Sequence, residues 1–366
     1  MASRREFMKW GIGAAGSLAA GALTVMADDR VDRRPALPAA SWKKLPLWYG
    51  FNLMELFMQP HMKPYQESDF EWMAEWGFNF VRLPMDYRAW TDPKDPFAYD
   101  EKVLGYIDKA VAWGKEYRIH VCLNLHRAPG YTVAHPKEKL LLWESDEAQR
   151  RFDAQWAMFA KRYREYSSRQ VSFDLVNEPA GVSAEKYAAV VKRVTQAIRR
   201  EDPERLIIAD GRQWGRDPVP ELIPYRVAQS TRGYDPFGLT HYRAKWVDSN
   251  GTWPKPTWPM IVHDQTHGKA WLEKNRIAPW KKLQQQGVGV HVGEWGCYNK
   301  TPYDVTLHWM KDILSLWHDA GWGWALWNLR GPFGIIDSKR KDAKYESFHG
   351  HRLDRRMLEL LQKMRK

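Results

Sequence analysis

Cysteine is nearly absent from this sequence. Its 366 residues include two, Cys122 and Cys297, which make no disulfide framework and no CxxC pair. They fall on the expected third strand and just after the expected seventh, far apart around a ring, so free thiols are expected. There is no HExxH, no DxDxDG and no GxGxxG after an early strand, so the motifs of a zinc protease, a calcium loop and a dinucleotide site are missing. No metal or organic cofactor is expected. No repeat of about 20–50 residues marks a solenoid or propeller. Long apolar runs are missing too, and the mean hydropathy is -0.62, which excludes a polytopic membrane protein.

Acidic residues are the scarcer charge, 44 against 56 Lys and Arg, a formal +12. Such a surplus raises nucleic acid as a partner. The cations are scattered, however, in short runs such as Lys339-Arg340-Lys341. A solvated basic surface is expected, with no nucleic acid bound.

What the chain has in excess is tryptophan, 21 residues beside 16 Tyr and 13 Phe. Each buried indole N–H needs a partner, so cores favour Leu and Ile. Part of the surplus is therefore expected on aromatic surfaces that meet a ligand.

The N-terminus carries Ser3-Arg4-Arg5-Glu6-Phe7-Met8-Lys9, then a mildly apolar Gly/Ala stretch over 10–26, with Val25-Met26-Ala27 as a cleavage site. That order reads as a twin-arginine signal peptide over 1–27. Export to the periplasm or beyond is expected, with no stable membrane insertion after processing. Residues 28–46 hold Arg33-Arg34-Pro35 and Pro38 without periodicity. They read as a linker ahead of one domain over 47–366.

From residue 47 short apolar runs alternate with amphipathic stretches. Strands are expected at 47–52, 79–83, 120–125, 171–176, 206–209, 238–241, 289–293 and 323–327. Helices are expected near 66–76, 100–117, 146–166, 184–200, 270–286, 303–320 and 351–365. This alternation points to parallel pairing through crossovers. A single-domain α/β fold, the (β/α)8 TIM barrel, is the simplest closure. A doubly wound open sheet is the runner-up, but it would want a Gly-rich turn where Asn52-Leu53-Met54-Glu55 stands.

In such a barrel the active site lies at the C-terminal strand ends. Those ends carry Asn52, Arg82, His126, Asn177-Glu178, Asp210, His241, Glu294 and Trp327. Pro179 fixes the chain's exit from the sheet behind Glu178. Glu294 closes strand seven, where strict alternation puts it on one face with Val290 and Val292 and sends His291 to the other. A carboxylate on a packed face is costly unless it is partnered or functional. Two facing carboxylates are what glycosidic cleavage requires: one protonates the departing oxygen, the other attacks the anomeric carbon or activates water. The same pair could hold a divalent cation.

Arg82-Leu83-Pro84, Leu123-Asn124-Leu125-His126, Asn177-Glu178-Pro179, Gly293-Glu294-Trp295-Gly296 and Trp327 together resemble glycoside hydrolase family 5, the cellulase-type retaining glycosidases with a TIM barrel. The resemblance runs from Gly50-Phe51-Asn52 to Gly331. It implies that Glu178 is the general acid/base and Glu294 the nucleophile. It implies that Arg82 binds near the nucleophile, that Asn177 holds the sugar 2-hydroxyl, that His126 and His241 line the catalytic subsite, and that Trp327 is its floor. The strand-end Asn52 is counted among the substrate-binding candidates. The family pattern has His-x-Tyr at strand six, with the Tyr bonded to the nucleophile. Here Thr240-His241-Tyr242-Arg243 departs from it, which leaves Tyr242 or Tyr298 for that role.

Aromatics crowd the expected mouth loops: Trp90, Tyr131, Trp143, Trp214, Trp246, Trp253, Trp258 and Trp295. The C–H face of a pyranose stacks on an indole. The segment 242–269 is the longest and is stiffened by prolines. It either presents Trp253 and Trp258 to substrate or uses them to pin itself down. The implied activity is hydrolysis of a β-1,4-linked glucan polysaccharide or oligosaccharide with net retention. A β-mannan or another β-glucan is the alternative within the family; a non-catalytic carbohydrate-binding barrel is the alternative of another class. A bell-shaped pH profile on the acid side of neutral is expected.

Overall fold

A computed structural model describes residues 35–59 and 61–365. The expected signal peptide over 1–27 and the first part of the expected linker lie outside the described residues.

Eight parallel strands close into a ring. They are β1 (Tyr49–Asn52), β2 (Phe80–Asp86), β3 (His120–Ala128), β4 (Val171–Asp174), β5 (Leu206–Asp210), β6 (Ala228–Gly233), β7 (Val290–Trp295) and β8 (Trp324–Leu326). Each pairs with the next in chain order, and β8 returns to β1 at Ala325 opposite Gly50. The fold is the expected TIM barrel.

Outside lie α1 (Glu67–Glu75), α2 (Glu101–Glu116), α3 (Asp146–Tyr163), α4 (Ala184–Glu201), α5 (Ala278–Gln285), α6 (Tyr303–Ala320) and α7 (Arg355–Lys363). Local chemistry sets their ends. Ser145 accepts from the Ala148 N–H to cap α3, and Ser183 accepts from Lys186 to cap α4. The α6 helix stops at Gly321, in the left-handed conformation at φ 73°. After β5 the crossover shrinks to the 3-10 turn Pro220–Tyr225, because its two prolines break the run of N–H donors.

Strand six lies elsewhere than expected. Phe237–Thr240 is a single helical turn, and the sixth strand is Ala228–Gly233, Ala-Gln-Ser-Thr-Arg-Gly. It has no apolar signature, because its buried faces are satisfied by hydrogen bonds. Gln229 turns outward and exchanges bonds of 2.9 and 2.7 Å with the Val219 backbone. Ser230 and Arg232 turn inward and bond each other at 2.9 Å.

The barrel also begins before residue 47. The Gly289 N–H donates to Trp42 O at 2.8 Å, and buried Leu45 packs against Gly289, where a side chain would collide with it. Residues 41–46 therefore seal the barrel's base rather than continue the linker.

The main core lies between strands and helices, and a smaller one fills the base inside the ring around Leu45, Trp48, Phe80 and Leu206. Cys122 and Cys297 are buried, unpaired thiols.

Candidate active site

Inside the ring, uncharged side chains give way to charged ones along three of the strands. Phe80 gives way to Arg82 on β2, Ser172 to Asp174 on β4, and Ile208 to Asp210 on β5. Residues two apart share a face, so one step up a strand carries the interior from base to mouth.

The β7 strand reaches this layer by a different route. Val290 and Val292 lie in the outer core, and His291 points inward onto Phe80, ring centroids 4.6 Å apart. Strict alternation would put Glu294 with the valines, under the helices. The register against β6 slips between Val292 and Glu294. This bulge inserts one residue and turns Glu294 inward, opposite Arg232. The expectation that Glu294 shares the valine face is therefore corrected. A β-carbon at Gly293 would lie 2.5 Å from Ser230 Oγ and 2.8 Å from Arg232 Nη1, so only glycine fits the bulge.

Glu294 is held from several strands. Arg82 Nη1 donates to its Oε1 at 2.5 Å. The same guanidinium bonds Asp174 (2.8 Å), Asn52 Oδ1 (3.1 Å) and Asn177 Oδ1 (3.0 Å). Asn52 Nδ2 donates to Gly293 O at 3.0 Å. Asn52 is fully buried, so it braces the bulge and the arginine rather than binding substrate. Tyr234 donates to Glu294 Oε2 at 3.4 Å. Tyr234, not Tyr242, thus reaches the carboxylate; Tyr242 is buried beneath the Arg243 guanidinium. The segment at the end of the true strand six reads Arg232-Gly233-Tyr234, with arginine where the family pattern has histidine.

Glu178 sits just past β4 with φ 50°. A left-handed non-glycine residue costs of order 1–3 kcal/mol and needs support. Its N–H donates to Asp210 Oδ2 at 2.9 Å, and its carbonyl accepts from Tyr131 Oη at 2.7 Å. Arg232 Nε donates to Glu178 Oε1 at 3.2 Å, and Arg232 Nη2 lies 3.4 Å from Glu294 Oε1. One guanidinium therefore touches both glutamates. The Glu178 side chain keeps 15% of its surface exposed, Glu294 only 4%. Burial, and then the Glu294 charge, push the Glu178 pKa up to about 8 against the pull of Arg232.

His126 Nδ1 lies 3.9 Å from Glu294 Oε1. Its ring stacks on half-buried Trp327 at 5.5 Å, with Phe57 edge-on at 4.5 Å. Burial, then Arg82 and Arg232, hold its pKa well below the ordinary value, so the ring is neutral. Asn177 Nδ2 lies 3.5 Å from His126 Nε2. Arg82, His126, Asn177, Glu178, Glu294 and Trp327 are thus brought together as expected from the sequence.

Others are not. His241 caps a helical turn instead of ending a strand. It stacks on Phe237 at 4.1 Å and meets the Tyr234 ring edge-on at 5.0 Å. Trp258 Nε1 donates to Asp312 of α6 at 2.9 Å and its ring packs on the core, so this residue pins the loop. Trp253 folds back over Gly251. Trp90 and Trp295 are core residues, buried to 1% and 0%. Trp214 and Trp246 do stand exposed. Beside the Glu178 segment a cavity of about 420 Å³ is lined by Tyr131, Leu141, Trp143, Glu144 and Lys186.

Arg232, Tyr234, Asp174 and Phe57 were not picked out from sequence. The two-residue spacing Ala228, Ser230, Arg232 was the available signal for the first of these. Among the described residues, no group of three or more His, Cys, Asp or Glu is arranged to hold a metal; the four interior carboxylates each face a guanidinium.

The barrel thus carries a glutamate pair at the ends of β4 and β7, flanked by a histidine, an asparagine and a tryptophan. The chain belongs to the cellulase family, glycosyl hydrolase family 5, whose pattern matches residues 42–331. It is similar to Endoglucanase C of Acetivibrio thermocellus, 26% identical over 321 residues, 80% of this chain and 92% of that protein. It is similar to Cellodextrinase A of Ruminococcus flavefaciens, 25% identical over 270 residues, 70% and 76% of the two chains. A crystal structure of a glycoside hydrolase is 43% identical, with TM-score 0.83 over 87% of this chain and 99% of that one.

Proposed function

We propose that this chain is an exported retaining β-glycosidase that cleaves β-1,4-linked glucan by double displacement. The observation that carries the reading is the unequal pair of glutamates. Glu294 is buried and clamped by Arg82; Glu178 is the more open and holds its proton to about pH 8. Glu294 attacks the anomeric carbon, and its bond to that carbon forms as the glycosidic C–O bond breaks. Glu178 gives its proton to the departing oxygen. Glu178, now ionised, then takes a proton from water, which displaces Glu294 and restores both carboxyl groups. Trp327 offers a ring face beside the reacting sugar, and neutral His126 a polar edge. The cavity by Tyr131 and Trp143 lies on the Glu178 side, where the leaving chain departs. A β-1,4-glucan is favoured by the names of the relatives, endoglucanase and cellodextrinase.

The test is Glu178→Ala and Glu294→Ala on a panel of β-glucans, mannan and xylan. Glu294→Ala is expected to lose about 10⁴-fold or more in kcat, Glu178→Ala about 10²–10⁴-fold. Reducing-end NMR of early products should give the β-anomer; the α-anomer would exclude double displacement. For the wild type kcat/KM should fall as pH rises through about 8, where Glu178 loses its proton. This moves the basic limb to the alkaline side of the sequence expectation. Export by the twin-arginine route predicts that Arg4→Lys with Arg5→Lys retains the protein in the cytoplasm; unchanged fractionation would exclude that route.

A further inference from the structure

We propose that Arg232 is the positioning residue that couples the two glutamates. It holds Glu178 and Glu294 on one permanently charged guanidinium and so ties proton release at Glu178 to the charge beside Glu294. The proposal rests on the reading above and goes beyond it, because it assigns a role to a residue outside the expected catalytic set.

The contacts are specific. All five N–H donors of Arg232 are taken. Nε donates to Glu178 Oε1 at 3.2 Å. Nη1 donates to Ser230 Oγ at 2.9 Å and Thr231 O at 3.2 Å. Nη2 donates to Asn177 Oδ1 at 3.0 Å and to Asp210 Oδ2, and it lies 3.4 Å from Glu294 Oε1. Arg82 reaches Glu294 but not Glu178. Among the described residues, Arg232 is the cation in contact with both.

The fold is also cut to seat this side chain. A β-carbon at Gly215, which has φ 75°, would lie 2.5 Å from Arg232 Cγ, and one at Gly293 would lie 2.8 Å from Nη1. Two glycines from separate segments, one in the turn after β5 and one in the β7 bulge, clear its path. A lysine has three donors on a flexible stem and cannot reproduce the fork. A histidine, which the family pattern places here, would offer two ring nitrogens and a charge that titrates near neutrality.

The charge itself is secure. Burial disfavours it, but the Asp210, Glu294, Glu178 and Asp174 carboxylates outweigh burial and raise the Arg232 pKa. Around Glu178 stand Glu294 from β7, Arg232 from β6, Asp210 from β5 and Arg82 from β2, with Tyr131 following β3 and Tyr234 following β6. Arg232 opposes the pressure of Glu294 and Asp210 that keeps Glu178 protonated. With Arg232 removed, Glu178 faces those carboxylates with less compensation and holds its proton to still higher pH.

The experiment measures kcat and KM from about pH 5 to 10 with p-nitrophenyl β-cellobioside, on wild type, Arg232→Met, Arg232→Lys and Arg232→Gln, alongside Glu178→Ala and Glu294→Ala. In Arg232→Met the basic limb of kcat/KM should move up by about one pH unit. Its kcat should fall about 10²-fold while KM changes less than about threefold. Arg232→Lys should keep the limb in place and lose about tenfold in kcat. An unmoved limb in Arg232→Met overturns the proposal, as does a loss carried by KM alone. Should Arg232→Met fail to fold by thermal scan, Arg232→Gln, which carries no charge at any pH, takes its place: the limb should rise, and an unmoved limb overturns the proposal. Turnover surviving in both glutamate variants would remove the catalytic reading itself. Turnover lost in both, with an unmoved limb at position 232, overturns only the role of Arg232.

Discussion

The base and the mouth of this barrel both bury ionisable groups and behave in opposite ways. At the base Trp48 stacks on His120 at 3.8 Å and Phe80 meets His291 at 4.6 Å. Burial pushes both histidines down to about 3, so the base stays neutral. At the mouth two arginines face four carboxylates. There burial, and then a neighbouring carboxylate, push Asp174 up to about 7 and Glu178 up to about 8. Burial disfavours the charged form of either group, so it moves a histidine down out of the working pH range and a carboxyl group up toward it. Burial beside like and unlike charges brings carboxyl groups into it. The same ring of strands therefore supplies an inert plug at one end and proton-transfer chemistry at the other.

This division can be broken at three points. The largest effect on turnover is expected at Gly293→Ala. The new methyl group forces either the bulge or Arg232 to move, and kcat should fall about 10²-fold, as for a misplaced reacting group. Wild-type turnover would show that the bulge does not aim Glu294. The next test is at the base. Trp48→Ala should cost about 3–5 kcal/mol in urea unfolding, with kcat per folded molecule held within about threefold. A large fall in kcat there would erase the distinction between the two ends. The smallest effect is on stability at the mouth. A raised folded-state pKa lends Glu178 stability below its unfolded value, about 4.3, and that contribution is lost as pH rises through about 8. Glutamine cannot ionise. Glu178→Gln should therefore melt with the wild type near about pH 5 and about 2–4 °C above it near about pH 8.5. Equal melting at both would mean that Glu178 is not strained by its charge.

How much was legible from sequence differs by strand. The β2, β3, β4 and β5 strands combine apolar faces with one polar end, so Arg82, His126 and Glu178 could be placed by counting. The β6 strand has no such pattern. Its Gln229 and Arg232 are buried because Val219, Asp210 and Glu178 satisfy them, and those partners come from other segments. That is why strand six was expected too late in the chain, with His241 and Tyr242 expected in place of Arg232 and Tyr234. Trp295 and Trp90 show the same limit. An indole looks alike in sequence whether its partner is a sugar or another ring, and Trp295 meets Trp317 at 5.0 Å in the core.

From the order of its residues alone the chain determined the alternation of strand and helix, the closure into a barrel, and which two glutamates end β4 and β7. These follow from periods of two and of about 3.6 residues, which neighbours in sequence impose on each other. Only the tertiary structure decided which way Glu294 points, where the sixth strand runs, and that Arg232 stands between the two acids. Each of these depends on strand register and on charges brought together from distant segments, and a one-residue slip of register turns a side chain from the ring's interior to the helices outside.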